Sequence, residues 1–176
     1  GVRSNDVIWG FSGINAFEWS VLQQMMAHWT GVEVGQMGYL ADSFHLYDHH
    51  YEKAQKILAQ AKAKTLYDFG FKTPAFSTCW EDFPALTEGF FSLENLLRNG
   101  SYDAFDLELK GVKDEFLRTV LLMLKAYNTY LERDTFQQSD TEYEPMTYLR
   151  PIARQVNEIP QSDLRVAAID FFRRQK

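Results

Sequence analysis

The fold of this 176-residue chain is decided near its beginning, where residues 3–50 read RSNDVIWGFSGINAFEWSVLQQMMAHWTGVEVGQMGYLADSFHLYDHH. Apolar residues in this stretch follow two spacings, one typical of strands and one typical of helices. Residues 6–9 are β-prone and are stopped by Gly10 and by the Ser12–Gly13 pair. We therefore expect a short strand followed by a tight turn.

A core helix is predicted from Ile14 to Trp29, because its apolar residues recur at intervals of three and four. Those residues are Ile14, Phe17, Val21, Leu22, Met25 and Trp29. Thr30 and Gly31 end this helix, and residues 32–47 read as a second, extended segment. A second helix is expected over residues 48–64, with a buried stripe made of Ala54, Ile57, Leu58 and Ala61.

The sequence changes character after Tyr67, where glycines and prolines interrupt an aromatic-rich connection. Helical spacing returns farther along, at residues 92–97, 113–132, 144–158 and 162–174. Residues 137–142 are the best linker candidate. We expect an α+β fold in which a strand and helix unit (residues 1–68) packs as one domain with a connection and a mostly helical extension (residues 69–176).

Composition narrows the classes of function. The formal net charge of −6 argues against nucleic acid as a partner, because such proteins need a basic face. The single cysteine, Cys79, excludes an internal disulfide and fits the reducing cytoplasm. No apolar run reaches the length of about 20 residues that spans a bilayer, so we expect a soluble protein without a membrane partner. The abrupt start is typical of a truncated chain or a fragment.

Several polar side chains near the start suit a small anionic ligand. A guanidinium and a hydroxyl, at Arg3 and Ser4, are good donors to phosphate oxygens. The amide of Asn15 offers one donor and one acceptor, as a uracil edge requires, although it could also cap a helix. His45 and Tyr47 fall on one side of a strand and could hold a sugar hydroxyl, or could pack as half-buried residues.

In order and nearly in spacing, these positions resemble the thymidylate synthase family, and the resemblance covers about residues 3–60. It runs from the Arg-Ser-Asn-Asp motif through a glycine turn to Asn15. It continues through Thr-Gly-Val-Glu-Val-Gly at residues 30–35 to His-Leu-Tyr-Asp-His-His at residues 45–50. The resemblance implies that residues 1–68 are the nucleotide-site portion of such a protein.

The resemblance also assigns roles. It implies that Arg3 and Ser4 bind the nucleotide phosphate, that Asn15 reads the pyrimidine edge, and that His45 and Tyr47 bond the deoxyribose hydroxyl. Asp6 matches the family's Asp that orients the folate and ordered water.

The family further implies a methyltransferase or hydroxymethylase of nucleotide biosynthesis, a tetrahydrofolate derivative as cofactor, and a homodimer. With an Asn at the base-reading position, the chain resembles the family's uracil enzymes. The cytosine hydroxymethylases are expected to have an Asp at that position.

This sequence departs from the family in four places. The turn before Asn15 is one residue longer, and Asp42-Ser43-Phe44 replaces Gly-Asp-x before the His. The family's Pro-Cys-His nucleophile and cross-dimer arginines precede the Arg-Ser motif, which here stands at the start. The family's apolar C-terminus has no counterpart in residues 70–176.

We therefore expect the C-terminal part of a one-carbon transferase, which binds a nucleotide such as dUMP but is inactive without an N-terminal partner segment carrying the catalytic Cys. The alternative is a non-catalytic interaction or regulatory module that keeps the scaffold.

Two other chemistries are weaker interpretations. Cys79 stands beside Glu81 and Asp82, and acidic neighbours raise the pKa of a thiol rather than activate it, so no catalytic residue is predicted in this chain. A metal site could be imagined from a cluster of ligand types at Asp42, His45, His49 and His50. The general-base Glu of zinc hydrolases is missing there, and no metal is expected. The aromatic residues between Phe69 and Phe91 are assigned to packing.

Overall fold

The computed structural model describes residues 6–61, 64–137 and 146–174. The chain divides into two compact units, Gly1–Thr65 and Leu66–Lys176. Their helices are α1 (Asn15–Thr30), α2 (Tyr51–Gln60), α3 (Phe83–Arg98), α4 (Tyr102–Leu109), α5 (Glu115–Gln137), α6 (Met146–Glu158) and α7 (Asp163–Arg173). A π-helical segment, Val7–Ile14, leads into α1, and short 3₁₀ turns lie at Asp48–His50 and Tyr67–Phe69. None of the described helices is long and apolar enough to cross a membrane.

The predicted first strand is wrong, because residues 7–14 are helical. The cause is the side chain of Asp6. Its Oδ1 accepts hydrogen bonds from the backbone N–H groups of Ile8 and Trp9, each at 2.9 Å, and its Oδ2 accepts one from Gly10 at 3.3 Å. A short polar side chain that satisfies several backbone donors favours a helix start over a strand ladder.

The predicted second strand is also wrong, and with it the α+β fold class: no strand occurs in the described parts of the chain. Residues 32–47 are irregular up to the 3₁₀ turn. Side chains of the preceding helical residues hold this segment in place of a ladder. Gln23 donates to the carbonyl of Gly35 at 2.9 Å, and the ring of Phe11 lies 5.4 Å from Tyr39 and 5.0 Å from Phe44.

The predicted core helix is confirmed as α1, although its surroundings differ from the expectation. Gly31, at a φ of 69°, ends the helix in a left-handed conformation that favours glycine. Ala27 is the one apolar side chain that is fully buried among residues 6–61. The residues predicted to be buried on α1 and α2 are largely exposed, and Leu58 has 75% of its surface accessible.

The second unit does build a hydrophobic core, with α5 at its centre. Twelve buried residues form one cluster: Leu93, Leu97, Phe105, Leu109, Leu121, Leu122, Ala126, Tyr130, Ile152, Val156, Ile159 and Ala168. The helical spacing at residues 92–97, 113–132, 144–158 and 162–174 is confirmed by α3, α5, α6 and α7, while α4 was not predicted. Most of the predicted linker, residues 138–142, lies outside the described residues.

Buried charges connect the elements of this second unit. The carboxylate of Asp114 accepts five hydrogen bonds, from the backbone and hydroxyl groups of Ser77 and Thr78 and from the N–H of Leu117. It thereby ties the connection before α3 to the start of α5. The buried Lys125 of α5 contacts Asp106 at 2.6 Å and Glu158 at 3.4 Å, and so links α4, α5 and α6.

We expect Asp114→Ala to lower the free energy of unfolding by about 2–4 kcal/mol, because it leaves several enclosed donors without an acceptor. Asp114→Asn keeps one acceptor oxygen and should recover part of that loss. Urea unfolding followed by circular dichroism measures both effects. Glu88→Ala, which removes an exposed carboxylate of α3, is the control, and an equal loss in that variant would contradict the assignment.

Candidate nucleotide and folate site

The structure describes four of the six residues that the sequence assigns to the site, and all four lie in the first unit. Arg3 and Ser4 lie outside the described residues. Asp6 stands at the start of the π-helical segment, and Asn15 is the first residue of α1. His45 and Tyr47 precede the 3₁₀ turn that leads to α2.

Asp6 is buried, and its carboxylate is kept in the charged form. Hydrogen bonds from the backbone hold the pKa of Asp6 below its ordinary value; the one from Trp9 has the largest effect, and those from Ile8 and Gly10 add to it against an opposing effect of desolvation. His50 also lowers this pKa by its charge. The Asp6 carboxylate therefore orders the start of the turn, which contains Trp9 and leads to Asn15.

A backbone hydrogen bond joins Val7, the residue after Asp6, to the predicted sugar-binding pair. The N–H of Val7 donates to the carbonyl of His45 at 3.0 Å, so the residue after Asp6 pairs directly with His45. The ring of His45 meets that of Tyr47 edge to face, with centroids 5.0 Å apart. The structure thus brings the backbone beside Asp6 against the segment that carries His45 and Tyr47.

Two further histidines, His49 and His50, extend this group. His49 stacks on Tyr47 with ring centroids 5.5 Å apart and an angle of 13°, and His49 lies 4.1 Å from His50. We call Asp6, His45, Tyr47, His49 and His50 the Asp6–His50 cluster. No group of three or more His, Cys, Asp or Glu in the described chain is arranged to hold a metal ion.

Asn15 lies at the far end of the π-helical segment from Asp6. It is not the N-cap of α1, because helical geometry already includes Ile14. Its N–H donates to the carbonyl of Gly10, and its own carbonyl accepts from the hydroxyl of Tyr39 at 3.5 Å. The segment 32–47 therefore contacts this turn near both ends, at Asn15 and at Val7.

An open cleft of about 670 Å³ lies on the same turn, and the sequence analysis missed it. We call it the Trp9 cleft; its lining residues are Ile8, Trp9, Gly13, Ile14, Phe17, Glu18 and Lys53. Trp9 is 55% exposed, and the ammonium group of Lys53 lies 5.8 Å from the centre of its ring. The cleft therefore combines an accessible aromatic plane with one cation and one carboxylate.

Cys79 has the properties of a protonated thiol. It is exposed, and its Sγ lies 3.1 Å from Oδ2 of Asp82. That hydrogen bond and the negative charges of Asp82 and Glu81 raise the pKa of the thiol, as the sequence predicts. A thiol in this state is a poor nucleophile at neutral pH.

Comparison with known proteins identifies relatives along the whole chain. The chain is 27% identical to a deoxyuridylate hydroxymethyltransferase of Bacillus phage SP01, over 96% of this chain and 46% of that protein. A protein of the same name from Pseudomonas phage M6 is 24% identical, over 99% of this chain and 46% of its own length. The chain thus spans less than half the length of these two relatives.

The alignments with the two phage proteins include the second unit, whereas the family model matches only the first 85 residues. A thymidylate synthase of Streptococcus pneumoniae is 39% identical over 56 residues, which are 32% of this chain and 20% of that enzyme. No solved structure matches. Residues 1–85 match the family model described as thymidylate synthase, and this match confirms the resemblance predicted from the sequence.

Proposed function

We propose that this chain is the C-terminal part of a thymidylate synthase-like enzyme that transfers a one-carbon unit to a pyrimidine nucleotide such as dUMP. The observation that carries the proposal is the backbone hydrogen bond from Val7, the residue after Asp6, to His45, whose ring contacts that of Tyr47. Val7 and His45, 38 positions apart in sequence, meet there, near the two ends of the stretch that carries the family motif. A role in packing alone does not require polar groups of these types.

Hydroxymethyl transfer is favoured over methyl transfer. The two relatives that align with nearly the whole chain are named deoxyuridylate hydroxymethyltransferases, whereas the thymidylate synthase aligns with about a third of it. The second unit therefore aligns with the proteins named hydroxymethyltransferases, whereas the alignment with the thymidylate synthase covers about a third of the chain. Both names are compatible with a uracil nucleotide as the substrate.

In this proposal the nucleotide lies against the turn between Asp6 and Asn15. The Asn15 amide donates to and accepts from the uracil edge, which presents one donor and neighbouring acceptors. His45 and Tyr47 hydrogen-bond the sugar hydroxyl, and Arg3 and Ser4 bind the phosphate by the family resemblance. The anionic Asp6 keeps this turn in shape and orients the cofactor side of the site.

The Trp9 cleft fits a folate derivative. A pterin is a planar ring that stacks on an exposed indole, and the glutamate tail of a folate is an anion that Lys53 can attract. When bound, the folate supplies the one-carbon unit. The residues of this chain bind it, orient it and limit the access of water to it.

The nucleophile is proposed to come from elsewhere. The family's reaction uses a cysteine thiolate, and Cys79, the single cysteine of the chain, has a raised pKa. The exposed apolar surfaces of α1 and α2 support a partner, either an N-terminal segment that carries the cysteine or a second copy in a homodimer. The chain by itself is then inactive, and a reducing compartment such as the cytoplasm suits the assembly.

The same observations support a second candidate, a non-catalytic interaction module that keeps the scaffold. The exposed apolar surface and the inert thiol are compatible with it. The two candidates differ in nucleotide binding: the transferase part should bind dUMP measurably, whereas a module that keeps only the scaffold should not.

We expect Asn15→Asp to weaken dUMP binding by roughly tenfold to a hundredfold, because a carboxylate cannot donate to a uracil acceptor. The variant should bind dCMP better than the parent chain does, since the cytosine amino group donates to a carboxylate. Isothermal titration calorimetry of the full chain with each nucleotide measures this exchange of preference. Asn95→Asp, on an exposed position of α3, adds the same charge and should leave both affinities unchanged.

Folate binding is tested at the Trp9 cleft. Trp9→Ala should weaken the binding of folate by about tenfold through lost stacking. Lys53→Gln should weaken it by about two- to fivefold through the lost charge, and should not affect a pterin that lacks the glutamate tail. Trp19→Ala, on α1, and Lys56→Gln, on the same helix as Lys53, are the matched controls. Equal losses in the control variants would argue against this cleft as the cofactor site.

A further inference from the structure

We propose that His50 is a positioning residue that acts through Asp6, by a hydrogen bond, direct or through a water, between its Nε2 and the Oδ2 of that carboxylate. Its role is to hold the turn that presents Trp9 and Asn15 to the ligands. The proposal rests on the function proposed above as far as ligand binding is concerned. Its structural part stands independently of any ligand.

The first observation concerns the ring of His50. Its Nε2 is enclosed and has no hydrogen-bond partner in the described parts of the chain. An enclosed polar atom that stays unpaired costs free energy, so such an atom points to a partner gained in the working protein. The rings of His49 and Tyr47, with centroids 4.1 Å and 6.5 Å away, place this imidazole within the Asp6–His50 cluster.

The second observation concerns the carboxylate of Asp6. Its Oδ1 accepts two hydrogen bonds of 2.9 Å, whereas its Oδ2 accepts a single longer one of 3.3 Å from Gly10. A carboxylate has about four acceptor positions, so Oδ2 retains capacity for another donor. An unpaired ring nitrogen and an underused carboxylate oxygen therefore belong to the same cluster.

The third observation is the way the backbone brings the two residues together. The bond from Val7 to His45 fixes the residue beside Asp6 against the segment that enters the 3₁₀ turn Asp48–His50. His50 ends that turn, and its charge contributes to lowering the pKa of Asp6. A hydrogen bond between them would join the start of the π-helical segment to the start of α2.

The consequence for function is indirect. His50 need not touch the nucleotide or the folate, because its effect is on the carboxylate that caps the backbone of Ile8, Trp9 and Gly10. Loss of His50 would loosen this cap, and the Trp9 ring and the Asn15 amide would then occupy a wider range of positions. Ligand affinity would fall although no ligand contact had been removed.

The test is amide hydrogen exchange on the full chain without ligand, followed at Trp9 and Gly10. We expect His50→Leu to lower the protection of these two amides by about tenfold, and His50→Gln, whose amide nitrogen can replace Nε2, to stay within about threefold of the parent. His28→Leu removes an exposed imidazole of α1 and should change neither amide.

A double-mutant cycle separates action through Asp6 from a general loss of stability. Asp6→Asn keeps a capping oxygen but no charge, and in that background His50→Leu should have little further effect on either amide. Unchanged protection in His50→Leu, or an equal loss with and without the Asp6 carboxylate, would overturn the proposal. If His50→Leu does not fold, His50→Asn, whose amide nitrogen matches the position of Nδ1 and not that of Nε2, takes its place in the cycle.

Calorimetry with dUMP on the same variants then distinguishes the two proposals. Lower amide protection together with roughly tenfold weaker dUMP binding in His50→Leu, both restored in His50→Gln, supports the positioning role within a nucleotide site. If His50→Leu lowers amide protection but the parent chain shows no dUMP binding, the result supports the contact between His50 and Asp6 and contradicts the proposed function.

Discussion

The candidate site depends on one side chain, the carboxylate of Asp6, and on the three backbone N–H groups that it binds. Because these donors are satisfied locally, residues 7–14 coil into a helical segment that joins α1 across a kink at Gly13. The same geometry leaves the N–H of Val7 directed at His45. The arrangement of the Asp6–His50 cluster and of the Trp9 cleft follows from this one cap.

The two units achieve order in different ways. The second unit buries a continuous apolar cluster and anchors its connections with Asp114 and Lys125, so its stability has an evident internal source. The first unit buries little apolar surface among its described residues and relies on caps, ring contacts and single hydrogen bonds. Ligands or a partner segment that covered its exposed faces would therefore stabilise it, as linkage between binding and folding requires.

The features that could be predicted from the sequence are those that depend on the spacing of neighbouring residues. The apolar period identified α1, and the order of polar motifs identified the family, since both are patterns of neighbouring residues. The strand predicted at residues 6–9 failed because the capping capacity of Asp6 outweighed the β-propensity of Val7 and Ile8. The pairing of Trp9 with Lys53 could not be predicted, because residues far apart in sequence meet only in the folded chain. The burial predicted for α1 and α2 failed because a helical period shows which face is apolar but not what covers it.

The central claim is that Asp6, Asn15, His45 and Tyr47 serve one nucleotide site. Titration of the isotope-labelled full chain with dUMP, followed by backbone and side-chain NMR shifts, tests it most directly. The account predicts saturable shifts concentrated at these four residues and at Trp9, with the core of the second unit unchanged. Shifts that are absent, or that are spread over both units without a centre at the Asp6–His50 cluster, would contradict it.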